Sequence, residues 1–149
     1  MIRSLGPEDA EACDAIVAGL PDWFGVPQGV AECAEAVRTQ EGLVAVDSGE
    51  VVGFLTVSRL RPRAAEITWM AVRADRRRRG RGRKLIDALV DRLVEQGVRL
   101  LLVKTLAESD PDPGYRETRR FYEALGFVPA MGLDLWGPEN PALLMVRPL

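Results

Sequence analysis

The run Leu100-Leu101-Leu102-Val103 constrains this chain more than any other feature. Four consecutive aliphatic residues leave no polar face for water, so a strand through Val98 to Thr105 should be covered on both faces and lie centrally in a sheet. Just before it, Leu85, Ile86, Leu89, Val90, Leu93 and Val94 form a broad apolar stripe from Gly82 to Gln96. This is the spacing of a helix that buries one side, and Gly97 is a natural stop for it. Upstream of the helix, Ala64 to Val72 reads as a strand.

The other elements follow from the same rules. Cys13, Ile16, Val17 and Leu20 give a helical stripe between Pro7 and Leu20, and Val30, Cys33, Ala34 and Val37 give a second. Between them, Pro21 to Pro27 holds two prolines and a glycine and must be a loop. Leu43 to Val46 and Val51 to Leu60 read as strands joined through Asp47-Ser48-Gly49-Glu50, a hairpin connection. Tyr115 to Leu125 reads as a short helix, and Phe127 to Leu133 and Ala142 to Val146 as closing strands, with a short first strand at Ile2-Arg3. The order αα, βββ, α, β, α, ββ predicts an α/β (α+β) fold. It is a mixed, mostly antiparallel sheet of six to seven strands flanked by four helices. At 149 residues, 47% of them hydrophobic and 28% charged, the whole chain 1–149 is expected to form one globular domain. The first residues turn acidic before any long apolar run, which resembles neither a signal peptide nor an anchor, so no membrane partner and a cytoplasmic location are expected.

What is missing narrows the chemistry. The chain has no histidine, which removes Ser-His-Asp and Cys-His mechanisms and leaves carboxylates, lysine, tyrosine or water as proton carriers. Two cysteines without histidine make no zinc site, so no metal is expected. Cys13 and Cys33 lie on apolar helix faces and read as buried thiols, with a disulfide left open.

The net charge of −2 conceals an asymmetry. Arg76 to Lys84 holds seven basic residues and no acidic one, which leaves −9 for the rest of the chain. A concentrated basic spot on an acidic body suits a small polyanion such as a pyrophosphate better than a nucleic-acid backbone, which needs charge spread over a face. The spot is the loop Arg73-Ala74-Asp75-Arg76-Arg77-Arg78-Arg79-Gly80-Arg81-Gly82-Arg83, where a strand feeds the long helix. Glycines permit close backbone approach, and a helix N-terminus offers unpaired N–H donors to phosphate oxygens. A bare Gly-x-Gly is equally compatible with an ordinary strand-to-helix turn. The Walker A pattern and the dinucleotide fingerprint are both absent, the latter because Leu85 stands where glycine or alanine is required.

Arg77-Arg78-Arg79-Gly80-Arg81-Gly82 does resemble motif A of the GNAT superfamily of N-acetyltransferases, Gln/Arg-x-x-Gly-x-Gly/Ala. Ala65 to Val72 is similar to the family's preceding strand, and Phe121-Tyr122-Glu123-Ala124-Leu125-Gly126-Phe127 to its Phe-Tyr-x-x-x-Gly-Phe helix end. The strong segments run from Ala65 to Phe127, and the helical prelude extends the likeness over nearly the whole chain. The resemblance implies an enzyme that transfers the acetyl group of acetyl-coenzyme A directly to an amine of a small molecule, peptide or protein. It implies two central parallel strands splayed apart for the cofactor, with the gap expected between Val72 and Val98. It places the pyrophosphate on the amides of Arg78 to Arg83, with the guanidinium groups of Arg77, Arg78, Arg79, Arg81 and Arg83 adding charge. The pantetheine then lies along Met70, Ala71 and Val72, whose backbone polarises the thioester carbonyl.

The family uses a tyrosine at the position of Tyr122 to protonate the departing thiolate, a role that suits a phenol of pKa about 10. Simple packing in the helix is the other reading, whereas Phe121 is expected in the core with Leu125. Glu66 corresponds to a strand glutamate that is a general base in some members. At roughly 13 Å along an extended strand from Met70 it would need intervening water, and a glutamate that merely stabilises the strand is an equal alternative. Where many members have asparagine this chain has Tyr115, which shares a helical face with Thr118 and Tyr122, and Tyr115 and Thr118 are candidate cofactor contacts. Trp23 and Phe24 are candidate walls of an acceptor pocket or core residues beside the first helices. An acetyl-CoA-binding sensor without efficient transfer and a nucleic-acid-binding protein using Arg76 to Arg83 are the rival readings, and a homodimer is compatible with all of them.

Overall fold

A computed structural model of the chain describes residues 1–21, 24, 27–77, 79–106, 113–138 and 141–149, without the side chains at 113 and 114. In chain order the elements are β1 (Ile2–Ser4), α1 (Ala10–Ala18), α2 (Pro27–Thr39), β2 (Glu41–Asp47), β3 (Glu50–Arg61), β4 (Ala64–Val72), α3 (Arg81–Glu95), β5 (Leu100–Leu106), α4 (Pro113–Ala124), β6 (Val128–Leu133) and β7 (Ala142–Pro148). Single turns of 3₁₀ helix precede α1 and α3 at Pro7–Asp9 and Ala74–Arg76. The strands join in one sheet of order β1-β2-β3-β4-β5-β7-β6. Every neighbouring pair is antiparallel except β4 and β5, which the α3 crossover makes parallel.

Each face of the sheet has its own helices. On one, Leu85, Ile86, Leu89 and Leu93 of α3, Tyr122 of α4 and Leu125 just after it pack on Leu55, Val57, Ala65, Ile67, Leu101, Val103 and Met145. On the other, Cys13, Ile16 and Val17 of α1 and Cys33 and Val37 of α2 pack on Val44, Phe54 and Ala71. Both cysteines are buried free thiols. Val30, expected on the inner stripe of α2, is 37% exposed, and Ala36 lies inward with Cys33 and Val37 instead.

The coverage expected of β5 holds on one face only. Leu101 and Val103 are buried under α3 and α4, whereas Leu100 is 42% exposed. The helices α1 and α2 sit over β2 to β4 and do not extend across β5, so the aliphatic run is driven inward by alternate residues rather than by all four. Among the described residues no helix is long and apolar enough to cross a membrane.

Candidate active site

The parallel pair β4 and β5 opens into a fork. Their register runs only from Ala64↔Leu100 to Ile67↔Val103, although β4 continues to Val72 and β5 to Leu106. The gap therefore begins beyond Ile67 and Val103. It does not lie between Val72 and Val98, as expected from sequence, because Val98 precedes β5 at the opposite, closed end, where Arg99 and Leu100 N–H donate to Arg63 O.

A β-bulge accounts for the parting. Against β3, Ile67 faces Val57 and Trp69 faces Thr56, so Thr68 is an extra residue in β4. Such an insertion bends its strand and increases its twist. It also reverses the alternation of side chains: Ile67 packs with α3, but Trp69 and Ala71 pack on the α1/α2 side and Met70 returns to the α3 side. The Thr68 hydroxyl donates to Gln40 Oε1 at 2.5 Å and lies 2.7 Å from Thr56 Oγ1, which pins the bulge to the end of α2.

Beyond the bulge, Arg73 N–H donates to Val52 O at 2.7 Å, so Arg73 and, by alternation, Ala71 and Trp69 direct their backbone groups to β3. Met70 and Val72 then direct their N–H and C=O groups the other way, into the gap. This is the geometry an extended, amide-bearing ligand needs to pair with β4 as an added strand would.

At the open end of the gap stands the N-terminus of α3. Gly80, at the N-cap, has φ 75°, a conformation that a side chain disfavours. Having no side chain, it caps none of the first-turn amides. Lys84 N–H is the first to find a helical acceptor, Gly80 O at 3.0 Å. The preceding N–H groups of Arg81, Gly82 and Arg83 have no acceptor within the helix. Gly82 is needed for closeness: a Cβ there would lie 3.0 Å from Met70 Cε and 3.1 Å from Phe121 Cζ. Phe121 therefore packs half-buried at this glycine and against the core cluster that holds Leu125, as expected of it, and Tyr122 is the more deeply buried of the two.

The arginine run is far less free than its composition suggests. Arg81, with its side chain only 16% exposed, hydrogen-bonds Asp47 on the β2–β3 turn. Arg76 lies 3.4 Å from Asp75 and 3.7 Å from Asp47, and Arg83 lies 3.7 Å from Asp87. The Arg81 guanidinium, expected to add charge to the cradle, is thus engaged by Asp47. Arg79 is exposed and Arg77 half-buried at the same turn. Arg78 and Trp23 lie outside the described residues.

On the α3 side of the gap, Tyr122 is 7% exposed and meets Phe121 and Phe127 edge-on, both at centroid distances of 5.3 Å. Among the described residues nothing hydrogen-bonds its hydroxyl, and burial pushes its pKa up to about 12. Tyr115 and Thr118 are half-buried on the same helix. Arg119, buried, ties α4 to the end of β5 by donating to Leu106 O at 2.8 Å. One residue earlier, Thr105 Oγ1 is buried with no hydrogen-bond partner among the described residues.

Across the sheet, Glu66 is buried with Lys104 Nζ at 3.3 Å from its carboxylate, a pair that bridges β4 and β5 at the base of the fork. On the same face the Phe24 and Trp69 rings lie 5.9 Å apart. Trp69 is a residue that sequence reasoning missed, because unbroken alternation from Glu66 puts it on the opposite face.

A fork between parallel strands, open amides at its mouth and a tyrosine beside it are the parts that the sequence resemblance implied. Residues 38–129 match the model of the acetyltransferase (GNAT) domain. The chain belongs to the GNAT acetyltransferases. Solved GNAT structures share its architecture throughout. A GNAT-family protein from Desulfovibrio desulfuricans superposes with a TM-score of 0.86 at 21% identity, over 99% of this chain and 98% of the other. The ribosomal-protein-S18-alanine N-acetyltransferase from Escherichia coli gives 0.80 at 24% identity, over 99% and 92%. An aminoglycoside 6'-N-acetyltransferase complexed with coenzyme A gives 0.77 at 18% identity, over 99% and 96%. No curated protein matches the sequence. Within this GNAT chain the fork opens toward the N-terminus of α3, Tyr122 packs on the same side of the sheet as α3, and Glu66 pairs with Lys104 on the opposite face.

Proposed function

We propose that this protein transfers the acetyl group of acetyl-coenzyme A directly to an amine within a ternary complex. The observation that carries the reading is the unpaired stretch of β4 at Met70 and Val72, which ends beside the open first-turn amides of α3. The amides of Arg81, Gly82 and Arg83 receive the pyrophosphate, with Arg77 and Arg79 around it, as anions are held at helix N-termini. Met70 and Val72 pair with the pantetheine, and a β4 N–H polarises the thioester carbonyl as negative charge develops on its oxygen. Tyr115 and Thr118 line the α4 side of the same channel.

Tyr122 supplies the proton that the departing thiolate takes up. A phenol held at about 12 stays protonated across the physiological range, so it arrives in the donating form. Glu66 serves as a water-mediated base only through a carboxylate that Lys104 already holds, and its contacts support a bracing role across the fork. The acceptor enters from the face of Phe24 and Trp69. Its neutral amine attacks the carbonyl carbon, the C–S bond breaks, coenzyme A leaves as the thiol with the Tyr122 proton, and the proton lost by the amine nitrogen passes through water to restore the phenol.

A calorimetric titration tests the reading. Acetyl-coenzyme A should bind one-to-one in roughly the micromolar range typical of such sites. The absence of saturable binding would remove the proposal and bring the nucleic-acid reading forward, although the pairing of Arg76, Arg81 and Arg83 with aspartates disfavours it.

The glycine offers a second test. Gly82→Ala should lower affinity for coenzyme A about tenfold, because Met70 and Phe121 must shift toward the gap to admit the methyl group. Stability should move by less than about 1 kcal/mol, since gained helix propensity offsets the displacement. Unchanged affinity would show that close approach at Gly82 is not required.

A further inference from the structure

The loop between β4 and α3 is anchored on an element outside the site, the β2–β3 turn. In that turn Ser48 and Gly49 adopt φ 51° and 80°. This is the two-residue geometry that matches strand twist, so Asp47 and Glu50 emerge as a fixed, mutually paired couple. Glu50 accepts from Arg73 NH1 at 3.1 Å at the start of the loop. Asp47 accepts from Arg81 NH2 at its end and lies 3.7 Å from Arg76 Nε. Arg81 NH1 also reaches back to Arg76 O at 3.3 Å, which closes the loop upon itself. These contacts hold the Asp47 carboxyl below the usual carboxylate range, the Arg81 hydrogen bond first among them. Arg81 immediately precedes Gly82, so a carboxylate 34 residues away in sequence fixes the first turn of α3.

We propose that Asp47 is a positioning residue for the acetyl donor: by gripping Arg81 and Arg76 it holds the first-turn amides of α3 in the arrangement that receives the pyrophosphate. The inference rests on the donor-binding reading above. It predicts an effect opposite in sign to that of simple electrostatics. A carboxylate near a phosphate site repels the ligand, and its removal alone would tighten binding. A brace predicts the reverse.

Asp47→Ala and the isosteric Asp47→Asn are to be compared with the wild-type chain, using coenzyme A and pantetheine as binding probes and acetyl-coenzyme A and S-acetylpantetheine as donors. Pantetheine lacks the pyrophosphate. Asp47→Ala should weaken coenzyme A binding about tenfold, the size of one lost charge-assisted hydrogen bond to the phosphates, and raise the acetyl-coenzyme A KM with kcat near wild type. Pantetheine binding and S-acetylpantetheine turnover should not change. Arg81→Met should match Asp47→Ala, and the double variant should be no weaker than either, because the two side chains act as one unit. Coenzyme A affinity that is unchanged or tighter in Asp47→Ala would overturn the inference, and so would an equal loss for both donors. Wild-type chain that fails to bind coenzyme A would overturn the donor reading itself, an outcome distinct from a failed brace.

Discussion

Tyr122→Phe should lower kcat by roughly 10²- to 10⁴-fold, the usual contribution of a positioned general acid, while coenzyme A affinity stays within about threefold of wild type. The separation follows from the surroundings of the residue. The ring is fixed by edge contacts with Phe121 and Phe127, which phenylalanine keeps. The hydroxyl has no hydrogen-bond partner among the described residues, so its removal orphans nothing and stability should be unchanged or slightly higher. A tyrosine that merely packs predicts normal turnover in the variant, and that result would remove Tyr122 from the mechanism. Loss of binding together with turnover would instead make the hydroxyl a contact of the donor channel. The pH profile adds an independent check. With the phenol at about 12, wild-type turnover should show no alkaline limb from its ionisation below about pH 11.

The parts of this site that were legible in the sequence are those set by local rules. Gly80 and Gly82 announce a turn where side chains do not fit, the stripe from Leu85 to Leu93 announces the helix behind it, and Leu100 to Val103 announce the strand that follows. Their succession is sufficient to place open amides at one end of a parallel pair. Three features were not legible, and each depends on a contact between distant residues. The bulge at Thr68 reverses the faces of β4, so Trp69 arrives beside Phe24 although period-two reading puts it with Ile67. Arg81 looks like a phosphate ligand until Asp47, on another hairpin, claims its guanidinium. Phe121 and Tyr122 are neighbours on α4 that both pack on the core, and the close approach of the Phe121 ring to Gly82 exists only once α3 and α4 are brought together. The limited coverage of β5 belongs with these, because apolar composition says what should be buried and cannot say how far α1 and α2 reach.

The same burial that keeps Tyr122 protonated should make the fold sensitive to alkali. Cys13 and Cys33, 0% and 1% exposed, are pushed up to about 12, chiefly by desolvation. Below pH 9 both thiols and the phenol are protonated in the folded and unfolded chains alike, and their contribution to stability is fully present. Above it the unfolded chain releases protons that the native fold retains. Stability must then fall as pH rises through the window from the unfolded values, 9.0 for cysteine and 10.0 for tyrosine, to about 12. Each group contributes a slope of about 1.4 kcal/mol per pH unit, so the three together remove about 7 kcal/mol by pH 11. That is comparable with the entire stability of an ordinary domain. Urea unfolding should therefore show a midpoint that is level from pH 7 to 8.5 and drops steeply by pH 10.5. Cys13→Ala combined with Cys33→Ala should flatten most of that drop, despite some loss of packing at neutral pH. A wild-type midpoint constant to pH 10.5, or a double variant with the same slope, would show that the thiols titrate as if exposed. Because Tyr122 keeps its proton until about pH 12, alkaline inactivation should coincide with unfolding, and activity measured across pH 9 to 11 should track the folded fraction.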